Sequence, residues 1–430
     1  MRHSLHVYIF AFLYLSVLSN TSLAQTGWTQ QSSGTTRYLF DVWFTDSLKG
    51  VAVGGFGTIL RSTNGGATWI NQSFSSSDDL YGVQFVDANT GTAVGGNPFG
   101  GSQLIRRTTD GGVTWTAQTS GTTNHLQDVF FVDANTGTAV GGNFIGGGGG
   151  VILRTTNSGN SWTSQPYGSS TALFELFFTS ANTGIGVGYQ GIILRTTNGG
   201  SSWTQQTSGT TASLYGVFFP SSTTGIVVGD NGTILRSTDS GVSWTALSSG
   251  SSGQLQAVYF ADSNTGIAVG GTSAGGGGVI LRTTNGGISW ASQSYGSTIT
   301  VYGVSFVSAT VGTVVGANGL ILRTNTGGVT GVEQELNGEG KRPSSFWLEQ
   351  NFPNPFNPST RIDFSVPTGN FVSLKVYDLL GREVAMLVSE ALAPGGYEVT
   401  FDGTGLASGV YMYRLLAGEF VQTKKLVLQK

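Results

Sequence analysis

The stretch Gly191–Trp203, GIILRTTNGGSSW, decides the fold because the chain repeats it with small changes. In six places an arginine stands eight residues before a tryptophan, with a period of 41–47 residues. The arginines are Arg61, Arg107, Arg154, Arg195, Arg236 and Arg282, and the tryptophans are Trp69, Trp115, Trp162, Trp203, Trp244 and Trp290. Arg323 opens a seventh copy, but Gly331 stands where its tryptophan is expected. Self-similarity at this period indicates a repeat architecture.

One repeat contains four short strand candidates. Leu214–Phe219, Ile226–Gly229 and Thr233–Ser237 are separated by turns, and a further turn leads into the strand of Trp244. Short strands with turn signals every 8–12 residues or so favour an all-β fold. Runs that are apolar on both faces, such as Leu173–Phe178, suit sheets that pack on both sides.

The two ends of the repeat region complement each other. The seventh copy lacks a tryptophan, whereas Trp28 stands alone near the N-terminus in GWTQQSSGTT. We therefore predict a seven-bladed β-propeller over residues 26–331, closed by the N-terminal strand so that no sheet edge stays open. A β-helix, the other repeat fold considered, would not need this complementarity.

The N-terminal sequence and the overall composition predict export and argue against several classes of partner. Residues 1–24 look like a signal peptide, with an apolar run over Val7–Leu18 and small residues before a cleavage point after Ala24. No other stretch is long and apolar enough to span a membrane. The chain has no cysteine, 10% charged residues and a net charge of −3. Without a basic patch, nucleic acid and anionic membranes are poor partner candidates.

The arginine–tryptophan spacing has two interpretations. If the hairpin turn is centred near Gly199, Arg195 and Trp203 face each other on antiparallel strands as a cation–π pair. Alternatively, the arginines form a ring that binds an anion. The turn between them resembles the Asp-box of sialidase-like propellers, in which Asp239 and Asp110 are expected to accept hydrogen bonds within the turn.

One face of the propeller is the candidate binding face. It carries the loops that join the last strand of one blade to the first strand of the next, and the hairpins that join the second strand of a blade to the third. Three hairpins are extended: Gly95–Gln103, Gly141–Gly150 and Gly270–Gly278. Variable loops on a rigid scaffold are common binding sites, although glycine-rich tips are also tolerated insertions. The predicted ligand-binding residues are Asp41, Asp128 and Glu175 at the channel mouth, flanked by Phe99, Phe144 and Tyr189, with Tyr38, Tyr167 and Tyr295 as further aromatic candidates. The alternative is that the acids only bond loop amides.

Residues for most catalytic chemistry are missing. After removal of the signal peptide one histidine remains, His125, which argues against a Ser-His-Asp triad and a multi-histidine metal site. We expect His125 to be a surface residue. Asp87–Gly91 resembles the start of a calcium loop, but Pro98 stands where the loop needs glutamate, so we interpret it as a turn. No catalytic residue, cofactor or metal ligand is predicted.

The consensus LxxVxFxDxxTGxAVGxxGxILRTTNGGxxW resembles the propellers of the photosystem II assembly and stability factor family. The resemblance covers about Trp28–Gly331 and implies a non-catalytic platform that binds proteins. Nothing in the sequence indicates photosynthesis.

The tail has a different composition. We predict a linker over residues 332–345 and a small Ig-like β-sandwich over residues 346–430, with strands at Arg361–Val366, Val372–Asp378, Tyr397–Phe401, Val410–Leu416 and Lys424–Leu428. The motifs PNPFNPST, VYDLLGREV, GGYEV, LASGVYMYRL and KKLVL resemble the C-terminal sorting domain of the type IX secretion system. That resemblance implies contact with the type IX machinery, transport across the outer membrane and removal of the tail. A sandwich that stays attached as an adhesive module is the alternative.

Together these features predict a secreted or cell-surface protein without a transmembrane segment in its mature chain. We expect a propeller that binds an extracellular protein or polysaccharide without catalysis. The alternative is an extracellular glycoside hydrolase of the sialidase-like type, using Asp41, Asp128 and Glu175.

Overall fold

The computed structural model describes residues 27–97, 102–142, 149–271, 277–328, 333–334, 346–392 and 394–429. The predicted signal peptide and most of the predicted linker lie outside these residues, as do Phe99 and Phe144. The described chain is built of β-strands, as predicted. Its helical elements are four single 3₁₀ turns: Gly55–Gly57, Tyr189–Gly191, Asp230–Gly232 and Ala317–Gly319.

The repeat region forms seven antiparallel sheets of four strands each, which confirms the four-strand interpretation of the repeat. Six sheets are consecutive in sequence: β2–β5, β6–β9, β10–β13, β14–β17, β18–β21 and β22–β25; the seventh combines β26–β28 with β1. In chain order the strands are β1 (Gly27–Gln31), β2 (Leu39–Phe44), β3 (Gly50–Gly54), β4 (Thr58–Ser62), β5 (Ile70–Asn71), β6 (Asp79–Phe85), β7 (Gly91–Gly96), β8 (Gln103–Thr108), β9 (Thr116–Ala117), β10 (Leu126–Phe131), β11 (Gly137–Gly141), β12 (Val151–Thr155), β13 (Thr163–Ser164), β14 (Leu173–Phe178), β15 (Gly184–Gly188), β16 (Ile193–Thr196), β17 (Thr204–Gln206), β18 (Leu214–Phe218), β19 (Gly225–Gly229), β20 (Ile234–Ser237), β21 (Thr245–Leu247), β22 (Gln254–Phe260), β23 (Gly266–Gly271), β24 (Gly278–Thr283), β25 (Ala291–Ser292), β26 (Val301–Phe306), β27 (Gly312–Gly316) and β28 (Ile321–Gly328).

The first strand of each sheet is its innermost strand. Each innermost strand packs against that of the next sheet, and β26 also packs against β2. The core lies between neighbouring sheets: Val187 of one sheet and Val217 of the next, for example, belong to one buried cluster. This double-sided packing explains why the second strand of every repeat is almost entirely small and apolar.

A phenylalanine–tryptophan pair recurs in every sheet. The phenylalanine near the end of the innermost strand meets the tryptophan edge-on, as in Phe178–Trp203, where the ring centroids are 5.9 Å apart. The glycine that opens the second strand makes room for this ring. A Cβ on Gly50, for instance, would lie 2.6 Å from the ring of Phe44.

The N-terminal strand β1 supplies the outermost strand of the last sheet. It pairs antiparallel with β28, with Gln31 opposite Ile321. Trp28 meets Phe306 edge-on at 6.1 Å, and its Nε1 donates a hydrogen bond to Gln293. Trp28 therefore occupies the tryptophan position that the seventh repeat itself leaves vacant.

The predicted cation–π pairing of arginine with tryptophan is wrong. Arg195 lies opposite Thr204, not Trp203, and its guanidinium Nε donates 2.9 Å to the Ser240 carbonyl in the turn of the next sheet. Arg61, Arg154 and Arg236 make the equivalent bonds to Gly111, Gly199 and Gly286. Arg107 donates to Ala134 of the following sheet and lies over the Phe131 ring at 4.8 Å. These five arginines thus link neighbouring sheets, and a carbonyl oxygen satisfies their donors better than an indole face.

The Asp-box turns behave as predicted. Asp239 accepts hydrogen bonds from the amides of Val242 and Ser243 and from the Ser237 hydroxyl. Asn198 accepts from the Ser202 amide at the same position of another repeat. The Ser243 hydroxyl also donates to Asp239, and this bond, followed by that of the Ser243 amide, contributes most to lowering the pKa of Asp239 to about 2. The Asp87 turn also closes on itself, with Oδ1 accepting from Asn89 and Thr90.

The tail contains two four-stranded sheets around one core. In chain order its strands are β29 (Glu333–Gln334), β30 (Trp347–Leu348), β31 (Ser359–Val366), β32 (Asn370–Tyr377), β33 (Glu383–Leu392), β34 (Gly395–Asp402), β35 (Gly409–Ala417) and β36 (Phe420–Leu428). The sheet orders are β29-β34-β31-β30 and β33-β32-β35-β36. Leu374, Tyr413 and Phe364 are fully buried between them. All five predicted strands are present, whereas β33 and the two short strands β29 and β30 were not predicted.

Candidate functional site

Every innermost strand carries a β-bulge at the same place. In β2 the pairing jumps from Leu39 to Asp41, so Phe40 is the extra residue, and the same jump occurs in all seven sheets. A bulge turns two successive side chains toward the same region of the sheet. The extra residues are Phe40, Tyr81, Gln127, Phe174, Tyr215, Gln256 and Tyr302.

These seven side chains line a cavity of about 250 Å³ at the start of the innermost strands. Its lining also includes Asp41, Asp128 and Glu175, so the structure brings the three predicted acids together. The remaining lining positions are Gly82 and Ala257. The bulges therefore bring aromatic rings, glutamine side chains and carboxyl groups into the lining of one cavity.

The aromatic side chains form two groups. Phe40 lies between Tyr81 and Tyr302, with ring centroids 5.1 and 5.6 Å away. Across the cavity lining, Phe174 stacks on Tyr215 at 5.0 Å with an interplanar angle of 8°. Sequence analysis missed these five aromatics because regular alternation places neighbours of Asp41 or Glu175 on the opposite face. The sequence did contain a signal for them: in each repeat an aromatic residue or glutamine stands directly before the position that holds an acid, a glycine or an alanine.

Each of the three acids bonds a backbone amide of the next sheet. Asp41 accepts from its neighbour Val42 at 2.7 Å and from Val83 at 2.8 Å. Asp128 accepts in the same way from Val129 at 2.7 Å and from Leu176 at 3.0 Å. Glu175, one carbon longer, accepts through Oε2 from Val217 at 2.8 Å. The acids therefore bond amides, but those of adjacent inner strands rather than loops.

The carboxyl groups titrate far from their usual range. Burial raises the pKa of Asp41 to about 7, against the lowering effect of its two amide bonds. Burial, with the charge of Asp41, raises the pKa of Asp128 to about 8. Burial and the neighbouring Asp128 also raise the pKa of Glu175 well above its usual value. Each neutral group is stabilised because no cationic side chain lines the described cavity.

The predicted flanking aromatics do not line this cavity. Tyr189 lies in the turn Tyr189–Gly191, is 41% exposed and stays a predicted ligand-binding residue outside the cavity. Tyr167 and Tyr295 are buried and donate to the carbonyls of Thr171 and Ile299. Tyr38 stays near the rim, with its ring 6.2 Å from that of Tyr302. Phe99 and Phe144 lie outside the described residues.

His125 is fully buried, so its prediction as a surface residue is wrong. It stands immediately before β10, its carbonyl accepts from Gly142, and its ring lies 5.8 Å from that of Tyr81. The polar residues before it, Thr122–Asn124, hid the fact that the chain enters the inter-sheet core at this position.

Within the described residues, no group of three or more His, Cys, Asp and Glu side chains is arranged to hold a metal ion. Nor does any helix among them have the length and apolar character needed to cross a membrane. The site is thus a small pocket of aromatic rings, amides and hydrogen-bonded carboxyl groups.

Fold and tail together define a propeller-type repeat protein with a secretion signal at its C-terminus. Residues 350–429 match the family described as the secretion system C-terminal sorting domain. Residues 20–118 match the family described as photosynthesis system II assembly factor YCF48. The chain therefore carries YCF48-like propeller repeats and a type IX sorting domain, which indicates a protein secreted to the cell surface or the extracellular space.

Solved structures support the fold. "YCF48 bound to D1 peptide" aligns with a TM-score of 0.57 and 21% identity, over 71% of this chain and 98% of that one. PorZ, a surface component of the type IX secretion system of Porphyromonas gingivalis, aligns with a TM-score of 0.53 and 14% identity, over 93% and 60%. An ancestral GH74 enzyme aligns with a TM-score of 0.53 and 13% identity, over 94% and 64%. No match was found among curated proteins.

Proposed function

We propose that the protein is an exported, non-catalytic binding module whose ligand, a protein or a glycan, enters the cavity at the start of the innermost strands. The observation that carries this proposal is the set of seven bulges, which directs five aromatic side chains and two glutamines into one cavity. Rings with hydrogen-bonding neighbours are typical of ligand pockets. A propeller of this fold has been solved with a bound peptide, which agrees with a binding role.

The carboxyl groups favour binding over glycoside hydrolysis. A glycosidase needs one carboxyl group to protonate the leaving group and a second to act as nucleophile or base. Here both oxygens of Asp41 and of Asp128 already accept amide hydrogen bonds. Carboxyl groups whose oxygens accept these amide hydrogen bonds align neighbouring sheets. The likeness to a GH74 enzyme concerns the fold, and hydrolysis is the second candidate function.

We further propose the architecture that presents this site. The signal peptide covers residues 1–24, the propeller residues 26–331, the linker residues 332–345 and the sorting domain residues 346–430; within the linker, Glu333–Gln334 pair with β34 of the sorting domain as strand β29. The pairing of β1 with β28 and the packing of β26 on β2 support a ring closed by the N-terminal strand. The two sheets of the tail support an Ig-like sandwich that delivers the propeller through the type IX machinery.

The test measures whether the protein hydrolyses polysaccharides. The mature chain is incubated with a panel of polysaccharides, and released reducing ends are measured beside an Asp41/Asp128/Glu175 triple-alanine variant. We expect no release from either protein. Release by the parent chain that the variant lacks would overturn the binding-module proposal and make the cavity a catalytic site.

A further inference from the structure

The cavity is lined by acidic side chains with no cationic side chain beside them. Asp41, Asp128 and Glu175 lie in its lining, and no lysine, arginine or histidine accompanies them there. Two further carboxylates stand behind the rim: Asp79 accepts from the Tyr81 hydroxyl at 3.3 Å and Asp230 from the Tyr215 hydroxyl at 3.4 Å.

The charged groups nearest the rim are directed elsewhere. Arg37 lies in the loop before β2, and its guanidinium stands 4.1 Å from the centre of the Phe56 ring. His125 packs against Tyr81 on the buried side. The phenols of Tyr81 and Tyr215 are neutral, since burial raises the pKa of each above its usual value. No described group around the cavity therefore neutralises its carboxyl groups.

The aromatic layer adds attraction for a cation. Phe40, Tyr81 and Tyr302 form one contiguous group of rings, and Phe174 with Tyr215 forms the other. The face of an aromatic ring attracts an organic cation, most strongly where water is displaced. The rings and the carboxyl groups line the same cavity and together provide both contributions. Within the described residues these acids are not arranged to hold a metal ion.

We propose that the cavity binds the ammonium group of an aliphatic amine, held between the two groups of rings and beside the carboxyl groups of Asp41, Asp128 and Glu175. This inference rests on the proposed binding function and names its ligand chemistry. A lysine side chain of an extracellular polypeptide and a free polyamine share that chemistry.

Proton linkage gives the proposal a distinctive signature. In the free protein, burial and mutual repulsion keep the cavity carboxyl groups partly protonated near neutral pH. A bound ammonium group favours the charged carboxylates, so binding releases protons. Affinity should therefore rise with pH from 6 to 8, while the amine itself stays protonated.

The experiment is isothermal titration calorimetry on the mature full chain. The probes are Nα-acetyl-lysine methylamide, a dilysine peptide, spermidine and the uncharged Nα-acetyl-norleucine methylamide. We expect the amines to bind with roughly ten-fold higher affinity at pH 8 than at pH 6. Parallel titrations in buffers of different ionisation enthalpy should reveal net proton release. Tighter binding of the dilysine peptide than of spermidine assigns a polypeptide source, and the reverse order a polyamine.

Two variants complete the test. Asp41→Asn/Asp128→Asn/Glu175→Gln removes the charge and should abolish amine binding, while each asparagine keeps one of the two acceptor oxygens of the aspartate it replaces. Asp87→Asn, in a turn outside the cavity lining, is the matched control and should bind like the parent chain. Equal binding of the lysine and norleucine probes, affinity independent of pH, or full binding by the triple variant would each overturn the inference. A neutral oligosaccharide bound in the cavity would refute the ammonium ligand alone, whereas reducing-end release would refute the binding function.

Discussion

Trp28 and Phe306 come from opposite ends of the repeat region, yet their rings meet edge-on at 6.1 Å with an interplanar angle of 88°. The other six sheets build the same pair from within one repeat, for example Phe219 and Trp244 at 6.1 Å. Trp28 is 3% exposed and shares its core cluster with Val314 and Leu322 of the last sheet. The last sheet therefore depends on a side chain supplied by the N-terminal strand.

The first prediction concerns Trp28. Trp28→Ala should lower the free energy of unfolding by about 3–5 kcal/mol, because it removes a large buried ring that the neighbouring sheets cannot replace. Equilibrium denaturation followed by tryptophan fluorescence measures this loss. Thr29→Ala, at an exposed position of the same strand, is the control and should change stability by less than about 0.5 kcal/mol. Equal losses in the two variants would mean that β1 is not part of the stable core.

The second prediction concerns the arginines that link the sheets. Arg195→Lys should cost about 1–2 kcal/mol, because lysine cannot place a planar donor on the Ser240 carbonyl. Arg282 offers a matched control, since its buried Nε has no acceptor among the described residues. Arg282→Lys should therefore cost clearly less in the same denaturation measurement. A larger loss at Arg282 than at Arg195 would contradict the assignment of these bonds as inter-sheet links.

Much of this fold follows from the sequence, because the repeat signals are local. Turn residues, apolar runs and the Arg–Trp spacing recur often enough to identify four strands per repeat. Trp28 even indicates that the N-terminal strand belongs to the last sheet, whose own repeat lacks a tryptophan. The cavity was only half predictable: Asp41, Asp128 and Glu175 stand out in a chain with few charges. Phe40 and Tyr215 do not, because the bulge that turns them inward depends on pairing between strands and leaves no mark in the alternation pattern.

The contacts of the arginines and of His125 were predicted wrongly for a related reason. Arg195 reaches the turn of the following sheet, so its partner is set by packing between repeats rather than by spacing within one. His125 is surrounded by polar residues in sequence but buried in space. Local periodicity carries no information on either contact.

The third prediction is a fall in stability with rising pH. Asp41 and Asp128 have raised pKa values in the folded chain, about 7 and about 8. Between about pH 4, their usual pKa, and pH 8 the folded chain binds more protons than the unfolded chain, so stability decreases as the pH rises. We expect a loss of several kcal/mol across this range, since one pKa unit corresponds to about 1.4 kcal/mol, and the raised pKa of Glu175 adds to the loss.

Denaturation at a series of pH values measures this slope. Asp41→Asn/Asp128→Asn/Glu175→Gln should flatten it, because the titrating groups are removed; loss of one acceptor oxygen at each aspartate lowers stability equally at every pH and leaves the slope unaffected. The control is Asp46→Asn/Asp87→Asn/Asp133→Asn, whose carboxylates lie in exposed turns and have lowered pKa values. That variant should keep the parent slope. A slope retained in the cavity variant would place the titrating groups elsewhere.

The last prediction concerns the Asp-box turns under acid. Turn hydrogen bonds lower the pKa of Asp110 and Asp239 to about 2, with the Thr114 or Ser243 side chain as the largest contributor. Their stabilisation is therefore fully present above about pH 4, the usual pKa of aspartate, and is lost as the pH falls toward 2. Asparagine holds the same turn in other repeats, where Asn198 accepts from the Ser202 amide at 2.9 Å.

Asp110→Asn/Asp239→Asn should thus leave stability at pH 7 within about 0.5 kcal/mol of the parent chain and make it less sensitive to acid. Acid titration followed by circular dichroism should place its unfolding midpoint at lower pH. The chain also offers the reciprocal exchange: Asn198→Asp adds a carboxylate to a turn that already fits one, and should move the midpoint to higher pH. If both exchanges left the midpoint unchanged, the turns would be held by the Thr108 and Ser237 hydroxyl bonds to the following amides, which do not titrate.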